Sequence, residues 1–220
     1  MSKERNSECW YRFTCDDDCD ICTTFIQMKY QMDNSGLPKA KQKPIELYID
    51  DTNAEDKQAY RELANIRTNI VDFVSSGKNL YICSKYAGNG KTSWAIKMLH
   101  TYFHYTAEGN YDNLKGMFVS TTDLLLRLKD FNNPVSAKYK ENLENVDLVI
   151  WDDIAVSGIS QYDYTQLFHI IDNRILSERS NIFTSNLVKD TDLIKCLGPR
   201  LASRIYNTST IIEFKSGDMR

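Results

Sequence analysis

Features that mark several other protein classes are scarce in this sequence of 220 residues. It has only 4 prolines and 9 glycines, which excludes collagen-like, low-complexity and broadly disordered chains. No apolar run approaches the roughly 20 residues that a membrane-spanning helix needs. The basic residues near the N-terminus are not followed by the apolar run of a signal peptide. We therefore expect a cytoplasmic protein with no membrane segment.

A large excess of charge is also lacking. The chain has 27 Lys and Arg against 30 Asp and Glu, for a net charge of −3. This balance argues against a protein that coats nucleic acid by bulk charge, so any such contact needs a local patch or an assembled partner. The length suits one domain, or one domain with a small appendage, and allows a core that needs no disulfides.

Cysteine, in contrast, is concentrated at one end of the chain. Four of the six cysteines lie within the first 22 residues: Cys9, Cys15, Cys19 and Cys22. In a reducing compartment such clusters more often hold metal than form disulfides. Four thiolates suit tetrahedral zinc, although an iron–sulfur cluster and unliganded thiols remain alternatives. We expect residues 1–45 to form a small Cys-rich head and linker, with residues 46–220 as the main domain. Cys83 ends an apolar strand and is interpreted as a core residue.

The main domain alternates predicted strands and helices. Residues 23–32 fit either a strand or a short helix, and residues 33–44 look like a polar linker. A helical pattern covers residues 52–74. Strands are then predicted at 80–83, 117–121, 146–153, 181–186 and 209–214, with helices at 92–105, 122–131, 162–176 and 190–205. Such alternation predicts an α/β fold with a parallel sheet covered by helices on both faces.

A phosphate-binding loop follows the first strand of this domain. The sequence Gly88-Asn89-Gly90-Lys91-Thr92 matches the end of a Walker A motif, and Ser93 continues it into a helix. Glycine allows the backbone to curl around phosphates, Lys91 reaches the β- and γ-phosphates, and the Thr92 hydroxyl binds Mg²⁺. Lys85 stands where the motif has its first glycine. The start of the loop must then use other dihedral angles, or Lys85 adds charge near the phosphates.

Two acidic residues end a later buried strand. Asp152 and Asp153 follow the apolar run that ends at Trp151, which is the Walker B pattern. Because ligands bind at the carboxyl ends of parallel strands, we expect Asp152 to hold Mg²⁺ directly or through water. Asp153 is the candidate general base for the attacking water.

Further polar residues fit ATP hydrolysis. Asn186 ends the next strand, where an amide would lie beside the nucleophilic water. Arg200 and Arg204 are four residues apart and share one helix face. An arginine presented to a neighbouring subunit's nucleotide would stabilise charge on the transferred phosphate.

Together these motifs resemble the AAA+ ATPases of the DnaC/DnaI type, the loaders of replicative DNA helicases, including phage-encoded relatives. The resemblance covers about residues 65–220. It rests on five segments: GNGKT (88–92), VIWDD (149–153), FTSN (183–186), GPRLASRI (198–205) and FKSGDMR (214–220). It implies that Asn186 is the sensor 1 residue and Arg204 the arginine finger, with Arg200 beside it and Arg220 at the sensor 2 position. Because the sequence ends at Arg220, we expect a minimal AAA+ domain without the C-terminal helical lid of larger members.

The resemblance implies an ATP-driven switch. Such loaders bind a hexameric replicative helicase through their N-terminal part, which holds zinc in the DnaI branch, and place it on single-stranded DNA. They act as a homo-oligomeric ring or spiral on the helicase, and ATP hydrolysis switches helicase release. Basic and aromatic residues before the Walker B strand are weak candidates for DNA contact, and a solvated face is the simpler interpretation: Lys129, Lys138, Tyr139 and Lys140.

Three other functions stay open at the level of sequence. One is an IstB-type transposition helper, which is an AAA+ relative. The second is a small-molecule P-loop kinase, although no acceptor pocket or arginine-bearing lid is visible in the sequence. The third is a nucleotide-binding adaptor without significant hydrolysis, to which Lys85 gives some weight.

Overall fold

The computed structural model describes residues 9, 22–43, 45, 47, 55–107, 113–127, 133–155 and 160–217. These residues form five strands: β1 (Asn79–Cys83), β2 (Gly116–Ser120), β3 (Leu148–Asp152), β4 (Ser180–Ser185) and β5 (Ser209–Glu213). The helices among them are α1 (Thr23–Asn34), α2 (Lys57–Thr68), α3 (Ile70–Ser75), α4 (Lys91–Tyr105), α5 (Thr121–Arg127), α6 (Pro134–Asn145), α7 (Gln161–Leu176) and α8 (Asp190–Thr208). In the described parts of the chain, no helix is both long and apolar enough to cross a membrane.

All strand pairings in the sheet are parallel, and the order across it is β2-β3-β4-β1-β5. The predicted fold class, a parallel sheet with helices on both faces, is therefore confirmed. β1 lies between β4 and β5, and its last residue, Cys83, pairs with Ser185 on one side and Glu213 on the other. Because the strands share one direction, the loops after β1, β3 and β4 emerge at one edge, where ligands bind in open α/β folds.

Each face of the sheet packs against its own set of helices. Leu80 and Ile82 of β1 belong to an apolar cluster with α2, α3 and α4, whereas Tyr81 and Cys83 pack with α7 and α8. This division follows from the two-residue period of a strand, which sends alternate side chains to opposite faces. Cys83 is fully buried, and burial raises the pKa of its thiol to about 12. Its interpretation as a core residue is therefore confirmed.

The segment at 23–34, which the sequence left between strand and helix, is α1. Met28 and Met32 of α1 and the following Leu37 lie in the same apolar cluster as α4. Gln31 bonds to the chain just before β2: its Nε2 donates to the Asn113 carbonyl at 2.9 Å, and its Oε1 accepts from the Lys115 N–H at 2.7 Å. Residues 28–37 thus share the core of the sheet, while the domain boundary near residue 45 stays a prediction.

Two helical regions differ from the sequence-based expectation. The single helix expected over residues 52–74 is two helices within the described residues, separated at Asn69, whose φ and ψ are −106° and 33°. The Asn69 side chain bonds back to the Asn65 carbonyl at 2.9 Å, a local alternative to continued helix. Helix α6 was not predicted, although the Asn133 side chain caps it and Pro134 occupies its first turn. Both are ordinary signals of a helix start.

Candidate nucleotide-binding site

The loop between β1 and α4 forms the centre of the candidate site. Its two glycines adopt left-handed backbone angles, with φ of +78° at Gly88 and +86° at Gly90, which side chains at these positions would strain. Gly90 is also the N-cap of α4, so Lys91 and Thr92 occupy the first turn of that helix. The N-terminus of a helix carries partial positive charge and favours phosphate. The loop and helix therefore have the form that the sequence motif predicts.

Lys85 does not disturb this loop. It is exposed, and among the described residues the non-glycine positions with positive φ are Asp153 and Glu178. The backbone at residue 85 therefore has no need of glycine, and a lysine is accommodated without strain. The sequence raised two possibilities, altered backbone angles at the start of the loop or an added charge near the phosphates. The structure favours the second, because Lys85 is an exposed cation in the same loop.

The Lys91 side chain lies inside the loop rather than in solvent. Its Nζ donates to the Tyr86 carbonyl at 2.8 Å and to Asn89 Oδ1 at 3.1 Å. Asn89 is itself buried and donates from Nδ2 to the hydroxyl of Ser84, which also accepts from the Tyr86 N–H at 3.1 Å. Burial lowers the pKa of Lys91, and the carboxylate of Asp153 is the largest opposing influence. The ammonium is thus held by neutral oxygens that a phosphate can replace.

Thr92 connects this loop to the Walker B strand. Its Oγ1 donates to Asp152 Oδ1 at 2.7 Å. A second hydroxyl, Thr184 Oγ1 of β4, donates to the same carboxylate oxygen at 2.8 Å. Asp152 is the last residue of β3 and is partly exposed. The end of β3 and the first turn of α4 are therefore joined through one carboxylate.

Asp153 has an unusual backbone and an unusual proton affinity. Its φ is +51°, in the left-handed region that non-glycine residues rarely adopt. Burial raises the pKa of its carboxyl group, the neighbouring charge of Asp152 adds to this effect, and Lys91 opposes it. Strained backbone and shifted pKa values concentrate at functional sites, so both features support a chemical role for Asp153.

The donor set fits a magnesium-bound polyphosphate. The Thr92 hydroxyl and the Asp152 carboxylate are 2.7 Å apart and supply the oxygen ligands that Mg²⁺ prefers. The Lys91 ammonium and the N-terminus of α4 supply positive charge where phosphate would lie. The residues present would therefore hold the ion and the phosphates together.

A family comparison agrees with this geometry. The sequence profile of the family described as IstB-like ATP binding protein matches residues 26–205, which is most of the chain. The chain belongs to this family. Its membership among the ATP-binding proteins of the DnaC/IstB group, predicted from the motifs, is thereby confirmed.

Individual relatives of this IstB-like family member point the same way. The replicative helicase loader DnaC of Buchnera aphidicola subsp. Baizongia pistaciae is 32% identical over 130 residues, 56% of this chain and 46% of the relative. Its counterpart from subsp. Acyrthosiphon pisum is 30% identical over 156 residues, 68% of this chain and 56% of the relative. The chain thus spans about half the length of the curated relatives it matches.

Solved structures resemble the chain over a similar range. The crystal structure of the DnaC helicase loader has a TM-score of 0.61 at 26% identity and covers 75% of this chain and 95% of that chain. AMPPCP-bound DnaA from Aquifex aeolicus has a TM-score of 0.60 at 19% identity, covering 76% of this chain and 48% of that chain. The likeness to DnaA is one of fold alone.

The other predicted site residues of this IstB-like domain differ in where the structure places them and in whether it describes them. Ser93 follows Thr92 in the first turn of α4. Asn186 is exposed and comes directly after β4, the strand beside β3. Arg220 lies outside the described residues.

The two arginines lie on α8, which is broken at Gly198 (φ +74°) just before Pro199. Arg200 and Arg204 line an open surface groove of about 620 Å³ together with Phe168 of α7. Arg204 Nε is 2.6 Å from Asp172 Oδ1 of α7. Within one chain, therefore, Arg204 is paired with Asp172.

Sequence reasoning missed two residues that hold the site together. Ser84 supports Asn89 from the start of the loop, and Thr184 supports Asp152 from β4. Thr184 lies within the FTSN segment, two residues before Asn186, so a signal was present. Its role depends on the pairing of β3 with β4, which a single strand's sequence does not reveal.

The cysteine head is only partly described. Cys15 and Cys19 lie outside the described residues, so the predicted four-cysteine zinc site is not tested. Cys22 is the N-cap of α1, where its sulfur accepts from the Phe25 N–H at 3.4 Å. Across the described ranges, no group of three or more metal-binding side chains comes together. Zinc binding by Cys9, Cys15, Cys19 and Cys22 stays a prediction.

Proposed function

We propose that this protein is an ATP-dependent loader of a replicative DNA helicase, which it places on single-stranded DNA during replication. One observation carries the proposal. The Lys91–Thr92–Asp152 cluster lies at the ligand-binding edge of a fold that covers 95% of the DnaC loader structure. The name of that protein, and of the relatives from Buchnera, supplies the helicase.

Hydrolysis of ATP is the proposed reaction of this site. Lys91 exchanges its contacts with Tyr86 and Asn89 for phosphate oxygens, and Asp153 orients or deprotonates the attacking water. Thr92 and Asp152 are the residues that would hold Mg²⁺, which when bound supplies charge that offsets the negative phosphates. We propose that Asn186, which is exposed and directly follows β4, contacts the same water.

Assembly of several copies is the proposed context for the arginines. Arg204 is exposed over roughly half of its side chain, and its partner Asp172 holds the guanidinium at the surface of α8. On a neighbouring subunit's nucleotide such a guanidinium would stabilise the charge of the transferred phosphate, with Arg200 beside it. We infer a homo-oligomeric ring or spiral in which hydrolysis switches release of the hexameric helicase. Arg220 as a sensor of the same nucleotide remains part of the proposal.

The N-terminal residues are the proposed helicase contact. We infer that the head within residues 1–45 is held together by zinc on its four cysteines and binds the helicase. A zinc-bound head of this size suits a partner-binding role, because so short a segment cannot build a stable core alone. The cytoplasm is the expected location of such a protein.

A transposition helper is the second candidate function. The specific observation in its favour is the family description itself, which refers to IstB. Both functions use the same ATP site, so the geometry of Lys91 and Asp152 does not separate them. The partner that the protein binds does.

Co-purification with candidate partners tests the proposal. Tagged protein is mixed with purified replicative helicases, or with an IstB-type transposase, in ATP, in ADP and without nucleotide. We expect a replicative helicase to be retained in ATP and released in ADP, because ATP holds the loader in its working assembly. Retention of the transposase, with no helicase retained in any nucleotide, would contradict the loader function and favour the transposition helper.

A further inference from the structure

Thr184 of β4 contacts three consecutive residues at the end of β3. It is 2% exposed. Its Oγ1 donates to Asp152 Oδ1 at 2.8 Å and accepts from the Asp153 N–H at 3.0 Å. Its carbonyl accepts from the Ile154 N–H, also at 3.0 Å. One buried side chain and its backbone thus fix the whole turn that carries the two aspartates.

The direction of these hydrogen bonds follows from the chemistry of a hydroxyl group. A threonine has one proton to donate and lone pairs to accept. The Asp153 N–H can only donate, so it binds a lone pair of the Thr184 hydroxyl. The hydroxyl proton is therefore donated to Asp152. The hydroxyl donates to the Asp152 carboxylate and accepts from the Asp153 N–H, so it fixes the side chain of the first aspartate and the left-handed backbone of the second.

Both hydroxyls that reach the Asp152 carboxylate bind the same oxygen. Thr92 and Thr184 donate to Oδ1, and among the described residues none donates to Oδ2. Two donors on one oxygen fix the rotation of the carboxylate. The second oxygen remains for a cation or for a water bound to it.

The next residue of β4 contacts the phosphate loop. The Ser185 carbonyl accepts from the Ser84 N–H, the first N–H of the loop, at 3.2 Å. Residues 184 and 185 thus hold the Walker B turn on one side and the phosphate loop on the other. Asn186, the candidate water-contacting residue, follows immediately.

We propose that Thr184 is a positioning residue for magnesium, which fixes the Asp152 carboxylate so that Oδ2 is presented to the ion. The inference deepens the proposed function and rests on it, since it concerns the same ATP site. Partners that orient a metal-binding carboxylate typically change metal affinity by about 10- to 100-fold when they are removed. Thr184 would also make the magnesium site depend on β4, the strand that Asn186 directly follows.

Three variants test the role of the hydroxyl. Thr184→Val keeps the shape of the side chain and removes the hydroxyl, whereas Thr184→Ser keeps the hydroxyl. Thr121→Val is the matched control, because Thr121 is equally buried and bonds to Asp152, but to its main-chain carbonyl at 3.2 Å. Binding of a fluorescent ATP analogue is measured over a range of Mg²⁺ concentrations and in EDTA, with the melting temperature of each variant.

We expect Thr184→Val to raise the Mg²⁺ concentration for half-maximal binding about tenfold, with binding in EDTA unchanged. Thr184→Ser and Thr121→Val should match the wild type. If Thr184→Val lowers the melting temperature but shares the Mg²⁺ dependence of Thr121→Val, the residue is only structural and the inference is wrong. If the valine variant does not fold, Thr184→Ala is measured in its place, and the same shift in Mg²⁺ dependence, or its absence, decides the inference.

Failure of the proposed function has a different signature in these measurements. If wild-type protein binds the ATP analogue no better than Lys91→Ala does, the assignment of the nucleotide-binding site is wrong. If wild type binds the analogue with Mg²⁺ dependence and Thr184→Val retains that dependence, only the role of Thr184 is wrong.

Discussion

Replacing Lys91 with alanine is expected to lower the affinity for ATP about 100-fold. The variant loses two charge-assisted contacts between the ammonium and phosphate oxygens, worth about 1.5 kcal/mol each. The Lys91 ammonium lies inside the loop, on the Tyr86 carbonyl and Asn89 Oδ1. These oxygens are neutral, so the charge is available to phosphate. Isothermal titration with ATP and Mg²⁺ measures the effect, and a melting curve confirms that the variant is folded.

Lys85→Ala is the matched comparison for this experiment. It removes a lysine from the same loop, but one that is exposed and six residues earlier. We expect a small change in affinity at most, since an exposed charge is screened by solvent and salt. Unchanged ATP binding by Lys91→Ala would overturn the assignment of the phosphate loop.

Replacing Asp153 with asparagine is expected to lower ATP turnover by about 100- to 10,000-fold, the usual contribution of a general base. Nucleotide binding should persist, because Lys91, Thr92 and Asp152 are unaltered. Asparagine also tolerates the positive φ at this position better than most residues do.

The pH dependence of ATP turnover is a second test of the role of Asp153. The pKa of Asp153 is raised by burial and by the charge of Asp152. A base must be ionised to act, so wild-type turnover should fall on acidification at a higher pH than an ordinary aspartate would give. Asp192→Asn, a change on α8 at a partly exposed aspartate, is the control. Full turnover by Asp153→Asn would contradict the base role, and binding without turnover in the wild type would favour the adaptor function.

The fold and the centre of the site were predictable because their signals are local. The strands are short apolar runs, and the phosphate loop from Gly88 to Thr92 is contiguous in sequence. Asp152 and Asp153 end a buried strand, so the rule that ligands bind at strand carboxyl ends was sufficient to bring them to the loop. The 2.7 Å contact between Thr92 and Asp152 joins residues 60 positions apart.

Other features depend on which elements become neighbours. The role of Thr184 requires β4 to lie beside β3. The sequence of a single strand does not show which strand it pairs with. Arg204 was predicted to act on another subunit, but its contact with Asp172 depends on how α8 packs on α7. At the break between α2 and α3, the side chain and the backbone N–H of Asn69 both donate to the Asn65 carbonyl, a local contact that the helical pattern of the sequence does not reveal.

Loading of a helicase onto closed circular single-stranded DNA tests the central proposal most directly, because a circle has no end over which a closed ring can pass. Helicase is mixed with the circle, ATP and either wild-type protein or Lys91→Ala, and unwinding of an annealed oligonucleotide is followed. The proposed function predicts that wild-type protein stimulates unwinding and that Lys91→Ala does not. Equal unwinding with wild type, with Lys91→Ala and with helicase alone would contradict it.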